Sequence, residues 1–244
     1  MATDYFGPRD RVIFRWEGKR RRGRVTRVLP QKRGVVTDSG KRLLVPVRRL
    51  RPSPDRVLIL ETRLERSLRS TRSYGSMLKR WLSAYQVEAL LERVHTVGAM
   101  RKFLRQEGRH IATRFIHIQG HGTNDSERGR ATLHLTFEKL SLLKRPEVFA
   151  GLEGKVLVFS CCEVGGNHEA MAAVKAASGA AAVIGYRVEV EDWYTNLSEA
   201  LLYHQLIRST LAPRKAVEKV NDALQLVGSR MDLRIVRKPV LICL

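Results

Sequence analysis

The residues best suited to chemistry in this sequence are a histidine and a pair of cysteines, each placed after a short apolar run and each set among glycines. Phe115-Ile116-His117-Ile118 leads into Gln119-Gly120-His121-Gly122, and Val156-Leu157-Val158-Phe159 leads into Ser160-Cys161-Cys162-Glu163-Val164-Gly165-Gly166. A thiol attacks a carbonyl as the thiolate, and a neighbouring imidazole can take its proton or hold it. His121 and Cys162 on adjacent strand ends would supply that pair. Gly120 and Gly122 would let backbone come close to a substrate, and the N–H groups of Gly122 and Cys162 would form an oxyanion hole. Glu163 is placed to modulate Cys162, although a carboxylate beside a thiol disfavours the thiolate unless it points away. A salt bridge from Glu163 to Arg187 is the alternative. Taken alone, a cysteine is more often a small buried hydrophobe than a nucleophile.

For these residues to meet, their strands must lie side by side and run the same way. The runs at 57–60, 115–118, 156–159 and 181–184 are short and continuously apolar, as in strands buried on both faces. Helical patterns separate them, at Tyr74–Leu82, Ala99–Gln106, Glu169–Ala177, Trp193–Arg208 and Pro213–Leu226, while Tyr85–Leu91 fits helix or strand. Alternation of this kind predicts an α/β fold, a mostly parallel sheet flanked by helices, whose chemistry gathers beyond the carboxyl ends of its strands. Upstream, strand patterns at Asp10–Trp16, Gly23–Leu29, Gly34–Thr37 and Arg42–Pro46 are separated by turn residues. They predict a small all-β, SH3-like barrel over residues 1–51, a proline-containing linker at 52–56 and the α/β domain at 57–244.

The two motifs IHIQGHG and LVFSCCEVGG, with the later VIGYRVEVED and PRKAVEKVNDAL, resemble the CHAT family of caspase-like cysteine peptidases. The resemblance runs from about Asp55 to Leu244. The family's Ser-Ala-Cys falls on Ser160-Cys161-Cys162, which makes Cys162 the nucleophile and puts Cys161 where a small residue usually stands. Either thiol could attack, and the register of the strand end decides which. The resemblance implies a caspase-haemoglobinase-like fold, a His121–Cys162 dyad with no metal or other cofactor, and peptide cleavage through a thioester. It also implies that 86–90 is the second strand, in a sheet of order 2-1-3-4-5-6, and it associates the chain with effectors gated by a protein partner, some in bacterial defence. Glu189, Glu191 and Asp192 follow the fifth strand and would favour a basic residue at the cleaved bond, unless they are solvated loop charges. Trp193 and Tyr194 could wall a pocket, with core packing the alternative.

The formal net charge of +21 is unevenly placed. Residues 1–50 hold 15 Lys or Arg against 4 acids, and residues 51–80 hold 8 against 3. Lys19, Arg20, Arg21, Arg22 and Arg24 form a basic run that could meet nucleic acid or an acidic protein partner, and Phe14 and Trp16 could stack on bases if they face outward. The alternative makes Phe14 and Trp16 core and the arginines solvated. The longest apolar stretch, near Met171–Gly185, is broken by Lys175 and Ser178, so no membrane partner is expected. The N-terminus lacks a basic-then-apolar leader pattern and the cysteines number three, which predicts a cytoplasmic protein. His95, His110, His134, His168 and His204 fit no metal spacing, and no phosphate-cradling loop is present. Two functional readings follow: a cysteine endopeptidase acting on a protein substrate, and a non-catalytic adaptor on the same scaffold. A simpler thiol hydrolase is a third.

Overall fold

Two units, Met1–Asp55 and Arg56–Leu244, divide the chain. The computed structural model describes residues 6–7, 10–52, 55–62, 73–110, 112–125, 130–209, 211–226 and 239–244. The first unit is an antiparallel sheet of order β4-β3-β2-β1-β5, from β1 (Arg11–Trp16), β2 (Lys19–Val28), β3 (Lys32–Thr37), β4 (Arg42–Pro46) and β5 (Arg51–Pro52). Alternate residues face inward, so Val12, Phe14, Val25, Val35, Val45 and Leu50 close over one core, with Trp16 packed half-buried against it. Phe14 is therefore core and no stacking platform. The basic run at 19–22 is strand rather than turn, because the two-residue turn Glu17-Gly18 pairs Trp16 with Lys19 at once.

The second unit is built on a sheet of order β14-β13-β12-β8-β6-β7. Its members are β6 (Arg56–Glu61), β7 (Glu88–Arg93), β8 (Thr113–Gln119), β12 (Val156–Ser160), β13 (Ala182–Tyr186) and β14 (Leu241–Cys243). In chain order within this sheet that is 2-1-3-4-5-6, all parallel except the last strand, which runs antiparallel to β13. The ambiguous 85–91 segment resolves into a turn followed by β7. Helices α1 (Tyr74–Ala84), α4 (Asp192–Tyr203) and α5 (Pro213–Leu226) bury Leu78, Leu82, Leu202, Val217 and Val220 against Val57, Ile59, Val158 and Ile184 on one face. On the other face, α2 (Val97–Phe103) and α3 (His168–Ser178) bury Met100, Met171 and Val174 against Leu60, Ile118, Leu157 and Phe159. Strands buried on both faces explain the continuous apolar runs. An antiparallel trio, β9 (His121–Asp125), β10 (Arg130–His134) and β11 (Lys139–Ser141), follows β8 directly and lies outside the sequence expectation. No helix among the described residues is long and apolar enough to cross a membrane.

One polar cluster sits inside the sheet–helix layer. His117, mid-strand on β8 and fully buried, has Nε2 3.4 Å from Glu199 Oε2 of α4 and Nδ1 3.2 Å from the Tyr203 hydroxyl. Tyr186 and Ser198 share a hydrogen bond of 2.6 Å beside it. Burial raises Glu199 to about 8 and lowers His117 to about 3, with the Ser160 hydroxyl opposing the rise at Glu199. At neutral pH the pair is therefore a protonated carboxyl facing a neutral imidazole, since a dry layer disfavours either charge. Between the ordinary histidine value of 6.5 and about 8, only Glu199 binds more protons in the folded chain than in the unfolded one. Stability then falls as pH rises through that window. Between about 3 and the ordinary carboxyl value of 4.5, only His117 differs, in the opposite sense, and stability rises with pH. Urea unfolding should lose about 1–2 kcal/mol between pH 6.5 and 8, and Glu199→Gln should flatten that decline; an unchanged slope in the variant would assign it elsewhere.

Candidate active site

The strands β8 and β12 are hydrogen-bonded neighbours in register, with Gln119 opposite Ser160. His121 and Cys162 each lie two residues further on, so the two chain segments leave the sheet at the same height. The ladder continues one step past the strands through a 3.2 Å bond from the Gly120 N–H to the Ser160 carbonyl. Beyond it the chains nearly touch. A Cβ on Gly122 would sit 2.5 Å from the Cys162 carbonyl oxygen, 2.5 Å from Val164 Cγ2 and 3.0 Å from Cys161 Cβ. A Cβ on Gly120 would meet Thr62 Oγ1 at 1.8 Å. The glycines flanking His121 are thus required by contact with Cys162 and with Thr62, whatever their use toward a substrate.

His121, expected at the end of the strand 115–118, instead opens the next strand, β9, and is exposed. Its cross-strand partner is His134 of β10, whose Nε2 lies 3.1 Å from the Thr123 hydroxyl. Burial, Lys139 and His121 all lower the His134 pKa, which favours a neutral ring there. Sequence reasoning missed His134 because only the β9–β10 register brings it opposite His121.

The two thiols are unlike. Cys161 is buried, its Sγ 3.5 Å from the Ile118 carbonyl, and burial raises its pKa well above the ordinary value. Cys162 is half-buried, and its Sγ donates to the Val190 carbonyl at 3.7 Å. Burial raises its pKa too, the Val190 hydrogen bond lowers it, and the charges of Glu189, Glu163 and Asp192 raise it further. Among the described residues nothing accepts a hydrogen bond from the Cys162 N–H, although the chain on both sides is well bonded. The Cys162 carbonyl receives the Val164 N–H at 2.7 Å, and Glu163, at φ 60°, turns the chain sharply after the thiol. Among the described residues Glu163 makes no ion pair with Arg187: its Oε2 accepts the Asn124 N–H of β9 at 3.3 Å. Asn167, whose Oδ1 caps α3 by accepting from Ala170 at 2.9 Å, donates to Asn124 Oδ1 at 3.2 Å. Asn124 and Asn167 therefore clamp the histidine strand to the cysteine turn, a role with no signal in the sequence.

The segment after β13 reaches the same place, with the Glu163 N–H bonded to the Val188 carbonyl at 3.1 Å. Of the three acids expected near the cleft, Glu189 is exposed and acts on Cys162, and Asp192 acts on Cys162 while accepting from the Tyr74 hydroxyl. Glu191 instead accepts from the Trp193 ring N–H. Trp193 is half-exposed beside it, and Tyr194 is buried core. In the first unit, Lys19 and Arg20 are exposed, Arg21 and Arg24 are half-buried, and Arg22 is buried and ion-paired to Asp55. Arg22 is thus part of the fold rather than of a free basic surface.

The family model for the CHAT domain matches residues 14–229. No curated protein matches the sequence. Among solved structures, the Drosophila initiator caspase Dronc aligns with a TM-score of 0.49 and 10% identity, over 77% of this chain and 78% of that one.

Two outcomes test the site as built. Iodoacetamide should modify Cys162 and spare Cys161 in the folded chain, read by peptide mass mapping, and the Cys162 rate should keep climbing as pH passes the ordinary thiol value of 9.0. Gly122→Ala should cost about 1–3 kcal/mol through overpacking, seen as a Tm drop of about 3–10 °C, whereas Gly98→Ala, with only Thr96 Oγ1 nearby at 3.9 Å, should leave Tm almost unchanged.

Proposed function

We propose that this chain, which belongs to the CHAT domain family, is a cysteine endopeptidase whose nucleophile is Cys162 and whose general acid and base is His121. The observation that carries the reading is the matched exit of β8 and β12, which sets His121 and Cys162 two residues past one register pair with Gly122 packed on the Cys162 backbone. Cys161, buried under the Ile118 carbonyl, is a packing residue in the place of the family's small one.

In this mechanism Cys162 gives its proton to His121, and the thiolate electron pair forms a C–S bond with the scissile carbonyl carbon. The carbonyl π electrons move onto oxygen, which the unpartnered Cys162 N–H and the Gly122 N–H receive. Collapse of that intermediate breaks the C–N bond, and imidazolium His121 protonates the departing amine. Water, deprotonated by His121, then attacks the thioester, the C–S bond breaks, and the free acid and thiol are restored.

Burial first, and then the carboxylates of Glu189, Glu163 and Asp192, raise the Cys162 pKa and favour the protonated resting thiol. A basic side chain at the cleaved position would neutralise part of that field and favour the thiolate, so recognition of Arg or Lys would also activate the nucleophile. Glu191 does not contribute to this field, its carboxylate accepting instead from the Trp193 ring N–H.

Fluorogenic peptides with Arg, Lys, Leu or Asp at the cleaved position test the whole reading. Arg and Lys peptides should turn over at least tenfold faster than Asp, with loss of about two or more orders of magnitude in His121→Ala and complete loss in Cys162→Ala. Cys161→Ala should retain turnover; its loss there, with activity kept in Cys162→Ala, would transfer the role to the other thiol.

A further inference from the structure

The outer face of the β1–β2 ribbon presents arginines in two differently treated groups. At one end, Arg11 lies 2.8 Å from Asp38 and 3.3 Å from Asp55, and Arg22 also pairs with Asp55, so acids of the same unit neutralise both. At the hairpin end, Arg15 stands directly opposite Arg20 in the register, and both are exposed. Like charges directly opposed on neighbouring strands destabilise the pair. Among the described residues no carboxylate pairs with Arg15, Arg20 or Arg49.

These residues surround one concavity. A groove of about 630 Å³ is lined by Arg15, Arg20, Arg48 and Arg49, with Ile13 on its wall and Glu17 as its one carboxylate. Glu17 itself faces Lys41, 3.8 Å away. Four guanidinium groups from a hairpin and from the turn at Val47–Arg49 thus converge on a single surface channel.

From this arrangement we infer that the groove formed by Arg15, Arg20, Arg48 and Arg49 binds the phosphate backbone of a nucleic acid strand. The guanidinium fork matches phosphate oxygens in pairs, and a row of phosphates supplies the counter-charge that the opposed arginines lack. A neutral or basic peptide fits poorly, because it brings no row of anions to set against the four arginines of the groove. Base stacking fits poorly too, since Phe14, although it borders the groove, is buried core, and Trp16 packs half-buried on that core. The groove therefore grips backbone without regard to sequence, through residues mostly different from the basic run at 19–24. This inference stands apart from the peptidase reading, as none of its residues lies in the second unit.

The test is fluorescence anisotropy of the full chain with a labelled 20-nucleotide single strand of mixed sequence, titrated at several salt concentrations. With four phosphate contacts the logarithm of the affinity should fall against the logarithm of salt with a slope of about −3. Arg15→Ala with Arg20→Ala, and separately Arg48→Ala with Arg49→Ala, should each weaken binding about tenfold and each make the slope shallower by more than one unit. Lys215→Ala with Lys219→Ala, which removes the same charge from exposed positions on α5, should stay within about twofold of the parent. Equal losses in the groove and α5 variants would overturn the inference in favour of bulk charge. Competition by polyglutamate as effective as by unlabelled strand would overturn it in favour of an acidic protein, and absence of binding at 50 mM salt would overturn it outright. Retained turnover of the peptides, or retained Tm, shows that each variant is folded.

Discussion

The structure depends on one close approach: β9 can leave β8 and lie against the turn after β12 only because position 122 has no side chain. A Cβ there would occupy space already taken by the Cys162 carbonyl, Val164 and Cys161. Each of those is fixed from the other side. The Cys162 carbonyl holds Val164, Val164 is buried in the α3-side core, and Cys161 is buried under Ile118. A side chain at 122 could not be accommodated by a local shift, and the histidine strand would have to lift away from the cysteine turn. The Asn124–Asn167–Glu163 hydrogen bonds then hold what the glycine permits, joining β9 to the cap of α3. The geometry of the candidate dyad is thus set by backbone packing and amide clamps, with His121 and Cys162 riding on a frame that does not involve their own side chains.

That frame holds a thiol in surroundings that oppose its ionisation. Half-burial and three carboxylates raise Cys162, and only the Val190 contact works the other way. A field of this sign suppresses reaction with adventitious electrophiles and is relieved by a positive charge entering the cleft. The same loop, 187–192, supplies the Val190 carbonyl and two of the acids, and it leads into α4, which carries Glu199. Below the site, the Glu199–His117 contact joins α4 to β8, the strand that runs on to His121. Asp192, whose charge acts on the sulfur, and Glu199, in the dry layer, are therefore mounted on one helix.

How much of this could be read from sequence follows from the range of the forces involved. The central parallel strands were legible because burial on both faces demands uninterrupted apolar runs such as Val57–Leu60 and Val156–Phe159, whereas the edge strand β7, only partly buried, read as helix or strand. Their carboxyl ends named His121 and Cys162. The β9–β11 trio was not legible, since its buried positions Ala131, Leu133 and Leu140 alternate with polar residues over strands of five residues or fewer. With that sheet went the cross-strand His134 and the amide clamp, both of which exist only through register. The sixth strand of the expected order had no place assigned to it in the sequence for a related reason: the three residues of β14 at the sheet edge carry too little pattern to separate from loop.

The arginine run at 19–22 shows the same limit in its electrostatic form. Charge density along a sequence counts residues, whereas a surface is set by which of them share a face. In β2 the run alternates: Arg21 pairs with core-facing Phe14, while Arg20 and Arg22 sit on the opposite face. Of those two, Arg22 is consumed by Asp55 and Arg20 is left beside Arg15. One sequence cluster thus divides into a half-buried residue at the core face, an internal ion pair and one member of a groove whose other members come from 15, 48 and 49. A high net charge names the sign of a partner to expect but cannot locate the surface, because location depends on the strand period of two and on which arginines the fold has already neutralised.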